Sequence, residues 1–358
     1  MNAIIDTTLR EGEQTPGVRF SLVEKKQIID GLVAVGIGEI EIGISSSLIS
    51  CPPNLIDYCQ RVHPKLICSL WCRCNKDDIR FAATIRPDIL SLSIPVSDIL
   101  IRDKMGKDRE WIANRLTTSI DQAKRMGMPV AVGFEDATRA EKSFLLRMAA
   151  LAECHGALRI RLADTIGTST PQEIIECVSA VSVILKRCEI AIHCHNDLGM
   201  ATANALSALE NGATSADATI LGLGERCGCT SLEELAGILK LKKNIPFNLK
   251  AIRPLSRYTA KIAGRIIPPN RPLTGEDIFT CETGLHLHGL YKNPATYEPY
   301  PPETIGATRK LVLGPKAGRR AIKAHLEAQG HRVAGVIDER KLKSIRSFLA
   351  SNSLNDPA

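Results

Sequence analysis

Two histidines are the residues of this sequence that most directly suggest metal chemistry. His193 and His195 lie in the run Glu-Ile-Ala-Ile-His-Cys-His-Asn-Asp-Leu-Gly at 189–199, which predicts a buried strand that ends in a polar turn. Side chains alternate along a strand, so both imidazoles point to one face and Cys194 to the other. Such a pair either binds one divalent metal ion or forms hydrogen bonds in a packed core. The pair alone favours neither alternative.

A second polar cluster follows the first apolar run of the chain. Residues 6–14 read Asp-Thr-Thr-Leu-Arg-Glu-Gly-Glu-Gln directly after Ala-Ile-Ile. Arg10 and Glu11 are adjacent, so they diverge in an extended chain and converge only if the strand has already ended in a turn. A parallel barrel places such clusters at the carboxyl ends of its strands. The alternative is a solvated loop with a surface ion pair.

Apolar, β-rich runs recur along the first two thirds of the chain, and the stretches between them have helical periodicity. The predicted strands are 3–6, 39–42, 65–71, 89–94, 129–134, 159–162, 189–193 and 216–220. Eight strand–helix units in about 245 residues predict a (β/α)8 TIM barrel of the α/β class. A doubly wound open sheet is the alternative, but no G-x-G-x-x-G motif follows the first strand.

The alternation stops after residue 245, where prolines become frequent. We therefore predict a catalytic barrel at 1–245, a linker and active-site lid at 246–310, and a small C-terminal helical subdomain at 311–358. Two helical stretches, 317–329 and 338–350, belong to this subdomain.

Composition indicates an ordinary globular protein. The 358 residues carry a net charge of +7 with the basic residues dispersed, so nucleic acid is not an expected partner. No apolar run approaches the roughly 20 residues of a membrane span, and no secretion signal opens the chain. The twelve cysteines are scattered, as expected of free thiols in a cytoplasmic protein.

If the barrel forms, the polar clusters meet on one rim. Glu11, His193 and His195 would then supply one oxygen and two nitrogens to a metal with open positions, which can bind a bidentate substrate. This ligand set is compatible with Zn²⁺, Mn²⁺, Fe²⁺, Co²⁺ or Mg²⁺.

Four segments, 6–14, 162–167, 193–199 and 224–226, together resemble the DRE-TIM metallolyase family. Segments 282–286 and 292–297 resemble the lid of its Claisen-condensing branch, which contains isopropylmalate, citramalate and homocitrate synthases. The resemblance covers about residues 3–325. Segments 71–73, 93–98, 134–139 and 296–300 are most similar to the homocitrate synthases of nitrogen-fixing bacteria.

The resemblance implies that acetyl-CoA condenses with 2-oxoglutarate, and that thioester hydrolysis then gives homocitrate and CoA. It implies a divalent metal cofactor, Mn²⁺, Mg²⁺ or Zn²⁺, bound by Glu11, His193 and His195. It also implies catalytic roles for Arg10 at the oxyanion, Glu135 and His286 in proton transfer, and Tyr297 in the lid. The implied substrate-binding residues are Gln14, Thr165 and Arg139.

The sequence departs from the family pattern at two positions. Cys229 replaces an asparagine of the metal shell, and it is either a ligand for a soft metal or a thiol that fills space. His288 replaces an acidic lid residue. Gly222, Gly224 and Gly228 follow the eighth strand, where barrels often bind phosphate, and could bind part of CoA.

Other functions remain open from the sequence. An isopropylmalate or citramalate synthase, a lyase similar to 3-hydroxy-3-methylglutaryl-CoA (HMG-CoA) lyase, and a non-enzymatic metal- or CoA-binding barrel are the alternatives. The family further implies a homodimer with exchanged lids, in which His286 and Tyr297 act in the partner's site. The short segment after residue 319 predicts no leucine-responsive regulatory domain.

Overall fold

The computed structural model describes residues 3–45, 53–282, 284–328, 330–331 and 337–352. The chain forms two compact units, Met1–Ile266 and Ile267–Ala358.

The first unit is built on a closed barrel of eight parallel strands, in which each strand pairs with the next and β1 pairs with β8. The prediction of a TIM barrel is therefore confirmed. The strands are β1 Ile4–Asp6, β2 Glu39–Ile44, β3 Ile67–Arg73, β4 Ile89–Pro95, β5 Val130–Glu135, β6 Arg159–Asp164, β7 Glu189–Cys194 and β8 Ser215–Ala218.

A helix follows each strand, and several helix ends match their sequence signals. The helices are α1 Leu22–Val35, α2 Pro53–Val62, α3 Lys76–Ile85, α4 Arg109–Arg125, α5 Lys142–Cys154, α6 Pro171–Ile184, α7 Ala201–Glu210 and α8 Leu232–Lys243. Ser21 with Glu24, and Thr170 with Glu173, form capping boxes at α1 and α6. A π-helical turn, Leu100–Lys104, is inserted between β4 and α4.

β2, β3 and β6 each end two residues after the predicted end, and β8 ends two residues before it. β3 continues to Arg73, because residues 72 and 73 pair with residues 92 and 93 of β4. β8 ends at Ala218, because Ile220–Gly222 forms a 3₁₀ turn in which Leu221 has a φ of 60°.

The compact units divide after Ile266 rather than after residue 245, because a ninth helix, α9 Leu249–Ile262, belongs to the first unit. Pro254 lies inside this helix, and proline normally favours a break. The buried face of α9 compensates by packing on α1: a Cβ at Gly31 would lie 2.5 Å from Leu255 Cδ1. Tertiary packing thus maintains a helix where the sequence indicated a linker.

Charged residues, not only aliphatic ones, fill the barrel interior. Glu39 and Glu41 on β2 alternate with isoleucines, as do Arg159 and Arg161 with Ile160 on β6, and all four charged residues are buried. Arg159 donates two hydrogen bonds of 2.8 Å to Glu39. Because β2 and β6 are not neighbours in the barrel, this ion pair crosses its interior.

The described residues of the second unit form short elements and three helices. A parallel pair of two-residue strands, β9 Thr280–Cys281 and β10 Lys310–Leu311, accompanies α10 Gly284–Lys292, α11 Arg319–Ala328 and α12 Glu339–Asn352. Its apolar core contains Ala317, Ile322, Ile337 and Leu342. In the described parts of both units, no helix is long and apolar enough to cross a membrane.

Candidate active site

Three predicted metal ligands meet at the carboxyl ends of β1 and β7. Glu11, His193 and His195 are buried, and each offers an atom within 4.8 Å of the others. The two Nε2 atoms are 3.3 Å apart, and the Glu11 carboxylate oxygens lie 3.8 Å from His193 Nε2 and 4.0 Å from His195 Nε2. Ligand atoms about 2.0–2.2 Å from a common metal lie roughly 3–4 Å from one another. This donor set therefore fits one divalent cation.

Asp217 on β8 orients the first of the two imidazoles. Its Oδ2 atom lies 2.9 Å from His193 Nδ1. If Nδ1 carries the proton and donates it to Asp217, the lone pair of Nε2 points to the other ligands, as in carboxylate–histidine–metal arrangements. Among the described residues, His195 Nδ1 has no hydrogen-bond partner.

Burial sets the ionisation of the ligand atoms. Burial and the neighbouring His193 lower the pKa of His195 to about 4, so this imidazole is neutral near pH 7. Burial also opposes ionisation of Glu11, but Arg10 and both histidines outweigh it, and the pKa of Glu11 is lowered. A carboxylate and neutral imidazole are the forms that bind metals.

Arg10 connects the ligands to the charged barrel interior. Its guanidinium forms an ion pair with Glu11 and donates from Nε to Glu41 at 2.6 Å. Arg161 donates to the other Glu41 oxygen at 2.8 Å and lies 3.0 Å from Asp217. We call Glu11, Arg10, Glu41, Arg161, Asp217 and His193 the ionic ring, since these six side chains follow one another in a closed circuit. Burial acts to lower the pKa of Arg10. The negative charges of Glu41 and Glu11 outweigh this effect and raise the pKa, so Arg10 stays charged.

Two glycines after β8 allow the backbone to approach Glu11. A Cβ at Gly224 would lie 3.2 Å from Glu11 Oε1, and a Cβ at Gly228 would lie 1.9 Å from the carbonyl oxygen of Gly222. Gly228 also has a φ of 82°, which side chains disfavour. Gly224 is thus explained by close packing beside the Glu11 carboxylate, and Gly228 by its positive φ and close packing against the Gly222 backbone.

A cavity of about 210 Å³, here called the central cavity, opens above the ligands. Arg10 and the three ligands line it, together with the predicted residues Gln14, Glu135 and Thr165. Thr165 Oγ1 accepts a 2.7 Å hydrogen bond from the backbone N–H of Asp136. Glu135 accepts hydrogen bonds from Lys104, at 2.9 and 3.2 Å.

Two further predicted residues lie outside this lining. Arg139 forms an ion pair with Asp136, with 2.7 Å between Nη2 and Oδ2. Cys229 is buried, and its Sγ contacts Thr219 Oγ1 at 3.2 Å. Burial, followed by the charge of Glu11, raises the pKa of this thiol, so Cys229 is held in the neutral form.

The predicted lid residues belong to the second unit. His286 and Tyr297 are exposed, and their rings contact each other with centroids 4.1 Å apart. His288, on the same helix α10, is half-buried.

Sequence reasoning missed the rest of the ionic ring. Glu41, Arg161 and Asp217 are buried and connect Arg10 to His193. A signal was present, because Glu-Ile-Glu at 39–41 and Arg-Ile-Arg at 159–161 place charges at every second position of strands. The sequence does not show which glutamate pairs with which arginine, because these pairs form only when the barrel closes.

Two family signatures divide the chain as the structure does. The HMGL-like signature matches residues 2–258, and the homocitrate synthase post-HMGL domain-like signature matches residues 273–349. The chain belongs to the HMGL-like family. The second signature and the relatives below place it in the Claisen-condensing branch.

Curated relatives carry more than one activity in their names. A homocitrate synthase of Frankia alni is 37% identical over 91% of this chain and 93% of its own length. 2-Isopropylmalate synthase 2 of Caldanaerobacter subterraneus is 37% identical over 89% of this chain and 83% of its own. The crystal structure of HMG-CoA lyase from Bacillus subtilis superposes with a TM-score of 0.66 at 19% identity, over 74% of this chain and 95% of that one. This last likeness shows the fold alone.

Proposed function

We propose that the protein is a homocitrate synthase. It joins the methyl carbon of acetyl-CoA to the keto carbon of 2-oxoglutarate, and water then cleaves the thioester to release homocitrate and CoA. The observation that carries this proposal is the meeting of Glu11, His193 and His195 beside Arg10 in the central cavity. Family membership supports the condensation, and the homocitrate synthase relative supports the acceptor.

Glu11, His193 and His195 would hold a divalent metal. When bound, the metal supplies Lewis acidity toward a chelated 2-oxo acid. Arg10, fixed by Glu41 and Glu11, presents positive charge where the keto oxygen gains negative charge during carbon–carbon bond formation. Thr165 and Gln14, in the lining of the central cavity, bind the carboxylate next to the keto group.

Proton transfer requires further groups. Glu135, in the lining of the central cavity, takes part in removing the methyl proton of acetyl-CoA, and Lys104 holds its carboxylate in place. His286 and Tyr297 complete the proton path from the lid of the partner subunit in a homodimer. This role requires both side chains to be accessible, and both are exposed.

The acceptor has a second candidate. The isopropylmalate synthase relative and the homocitrate synthase relative have the same sequence identity to this chain, 37%. 2-Oxoisovalerate is therefore the alternative to 2-oxoglutarate as acceptor.

The test is to incubate the purified protein with Mn²⁺, acetyl-CoA and one of several 2-oxo acids, and to measure CoA and the hydroxy-acid product by chromatography. We expect product with 2-oxoglutarate and none with Glu11→Gln. Glu13→Gln is the matched control, because Glu13 lies in the same turn but pairs with Lys25. CoA release that no 2-oxo acid stimulates would refute the condensation, and a preference for 2-oxoisovalerate would change the acceptor only.

A further inference from the structure

A second cavity, of about 350 Å³, lies beside the central cavity. We call it the side cavity. It lies where β3, β4, the π-helical turn and α4 meet, and it shares three lining residues with the central cavity: Trp71, Ser93 and Glu135. The two cavities therefore adjoin at these three side chains, at the carboxyl ends of β3, β4 and β5.

The side cavity is cationic. Arg73, Lys104 and Arg115 line it, against the single carboxylate of Glu135. Two of these cations are neutralised: Arg73 binds Asp78 through 2.6 and 3.1 Å hydrogen bonds, and Lys104 binds Glu135.

Arg115 is different. Its guanidinium carbon lies 4.7 Å from the centroid of the Trp111 ring, and within the described part of the chain it has no carboxylate partner. A half-buried guanidinium stacked on an indole is held in position while its N–H edge remains free. Such an edge is suited to bind a carboxylate through two parallel hydrogen bonds.

Resting on the proposed function, we propose that the side cavity binds the distal carboxylate of a 2-oxo dicarboxylic acid, and that Arg115 determines this specificity. The 2-oxo end of the acceptor lies at Glu11 and the two histidines. Its methylene groups pass Trp71 and Ser93, and its far carboxylate meets Arg115. An acceptor with an apolar end would leave the guanidinium without a partner, so dicarboxylic acids are preferred over branched or short 2-oxo acids.

The experiment compares the parent protein with Arg115→Gln and Arg115→Lys in steady-state kinetics and in calorimetric titration of the Mn²⁺-loaded protein. The acceptors are 2-oxoglutarate, 2-oxoadipate, pyruvate and 2-oxoisovalerate. For Arg115→Gln we expect the KM and Kd of the preferred dicarboxylic acid to rise ~10–100-fold, the effect of losing a charged hydrogen bond. We expect the KM of acetyl-CoA and of pyruvate to stay unchanged. Arg115→Lys restores part of the loss, because it returns the charge without the planar fork.

Lys107→Gln is the matched control. Lys107 also lies over the Trp111 ring, at 5.4 Å, but it does not line the side cavity. It should change none of these constants.

The other outcomes overturn the inference in distinguishable ways. A parent protein that condenses no 2-oxo acid, and binds none, refutes the proposed function as well. A parent that prefers 2-oxoisovalerate or pyruvate leaves the condensation standing and refutes the distal-carboxylate site. A rise in the KM of acetyl-CoA alone would assign the side cavity to a phosphate of CoA.

Discussion

Asp217 Oδ2 lies 2.9 Å from His193 Nδ1, on the side of the imidazole opposite the candidate metal ligands. The same carboxylate lies 3.0 Å from Arg161, which binds Glu41, which in turn binds Arg10. The ionic ring therefore connects a metal-binding imidazole to the arginine proposed to stabilise the oxyanion. Changes at buried residues that touch no substrate should alter the site.

The first prediction concerns Asp217→Asn. Asparagine keeps the shape of the side chain but removes the charge that fixes the His193 tautomer. We expect the affinity for Mn²⁺ or Zn²⁺ to fall ~10–100-fold, as for other partners of metal-binding histidines. Calorimetric titration of the metal-free protein measures this. Asp88→Asn is the control, because Asp88 accepts a hydrogen bond from the backbone of Cys68 instead. Equal metal affinities in the parent and in Asp217→Asn would show that the Asp217 charge does not strengthen metal binding by His193.

The second prediction concerns Arg161→Met. This change leaves Glu41 and Asp217 buried with less compensating positive charge, so we expect the free energy of unfolding to fall by ~3–5 kcal/mol. Urea denaturation followed by circular dichroism measures it. Arg102→Met is the comparison, because Arg102 pairs with Asp103 at the surface, where such pairs contribute about 0–1 kcal/mol. A similar loss of unfolding free energy in both variants would show that the buried contacts of Arg161 contribute no more than a surface ion pair.

The third prediction concerns the pH dependence of Glu41. Burial raises the pKa of this carboxyl, but Arg161 and Arg10 outweigh it and lower the pKa from 4.5 to about 2. A lowered folded-state pKa stabilises the protein above pH 4.5, and this stabilisation is lost as the pH falls toward 2. The difference in unfolding free energy between the parent and Glu41→Gln should therefore shrink by about 1 kcal/mol between pH 5.5 and 3.5. Denaturation of both proteins at a series of pH values measures it, and a constant difference would argue against this ionisation.

The fourth prediction concerns Gly224→Ala. The added Cβ would lie 3.2 Å from Glu11 Oε1, so the ligand carboxylate must shift. We expect the affinity for the metal to fall about tenfold, which is the usual effect of disturbing a group that supports a metal ligand. Gly318→Ala is the control, since its Cβ would meet nothing within 4 Å. If both variants bind metal like the parent, the close approach of the Gly224 backbone has no role.

The sequence was sufficient to predict the barrel and the grouping of Glu11, His193 and His195, because both follow from patterns along single strands. Strand alternation placed His193 and His195 on one face, and a turn after β1 placed Glu11 beside them. Arg139 differs, because it lies in the 3₁₀ turn Ala137–Arg139 after β5 and its guanidinium pairs with Asp136 outside the lining of the central cavity. The metal-binding role of Glu11, His193 and His195 stays a prediction, as do the roles of the lid residues.

The parts that could not be predicted depend on contacts between distant segments. Arg161 and Glu41 are 120 residues apart in sequence, and only closure of the barrel brings them together. α9 forms despite Pro254 because its apolar face meets α1, which local propensity does not reveal. Cys229 stands where the family has an asparagine. Burial and the charge of Glu11 raise the pKa of its thiol and keep it neutral, which the motif alone does not reveal.

The ionic ring also dictates an order of addition. It contains three carboxylates, Glu11, Glu41 and Asp217, and two guanidiniums, Arg10 and Arg161, so these five groups together carry a formal charge of −1. Under the proposed function, this charge would repel a dianionic 2-oxo acid, whereas it would attract a divalent cation, which would change the formal charge to +1. We therefore expect the cation to bind before the 2-oxo acid, and the 2-oxo acid to bind the metal-free protein only weakly.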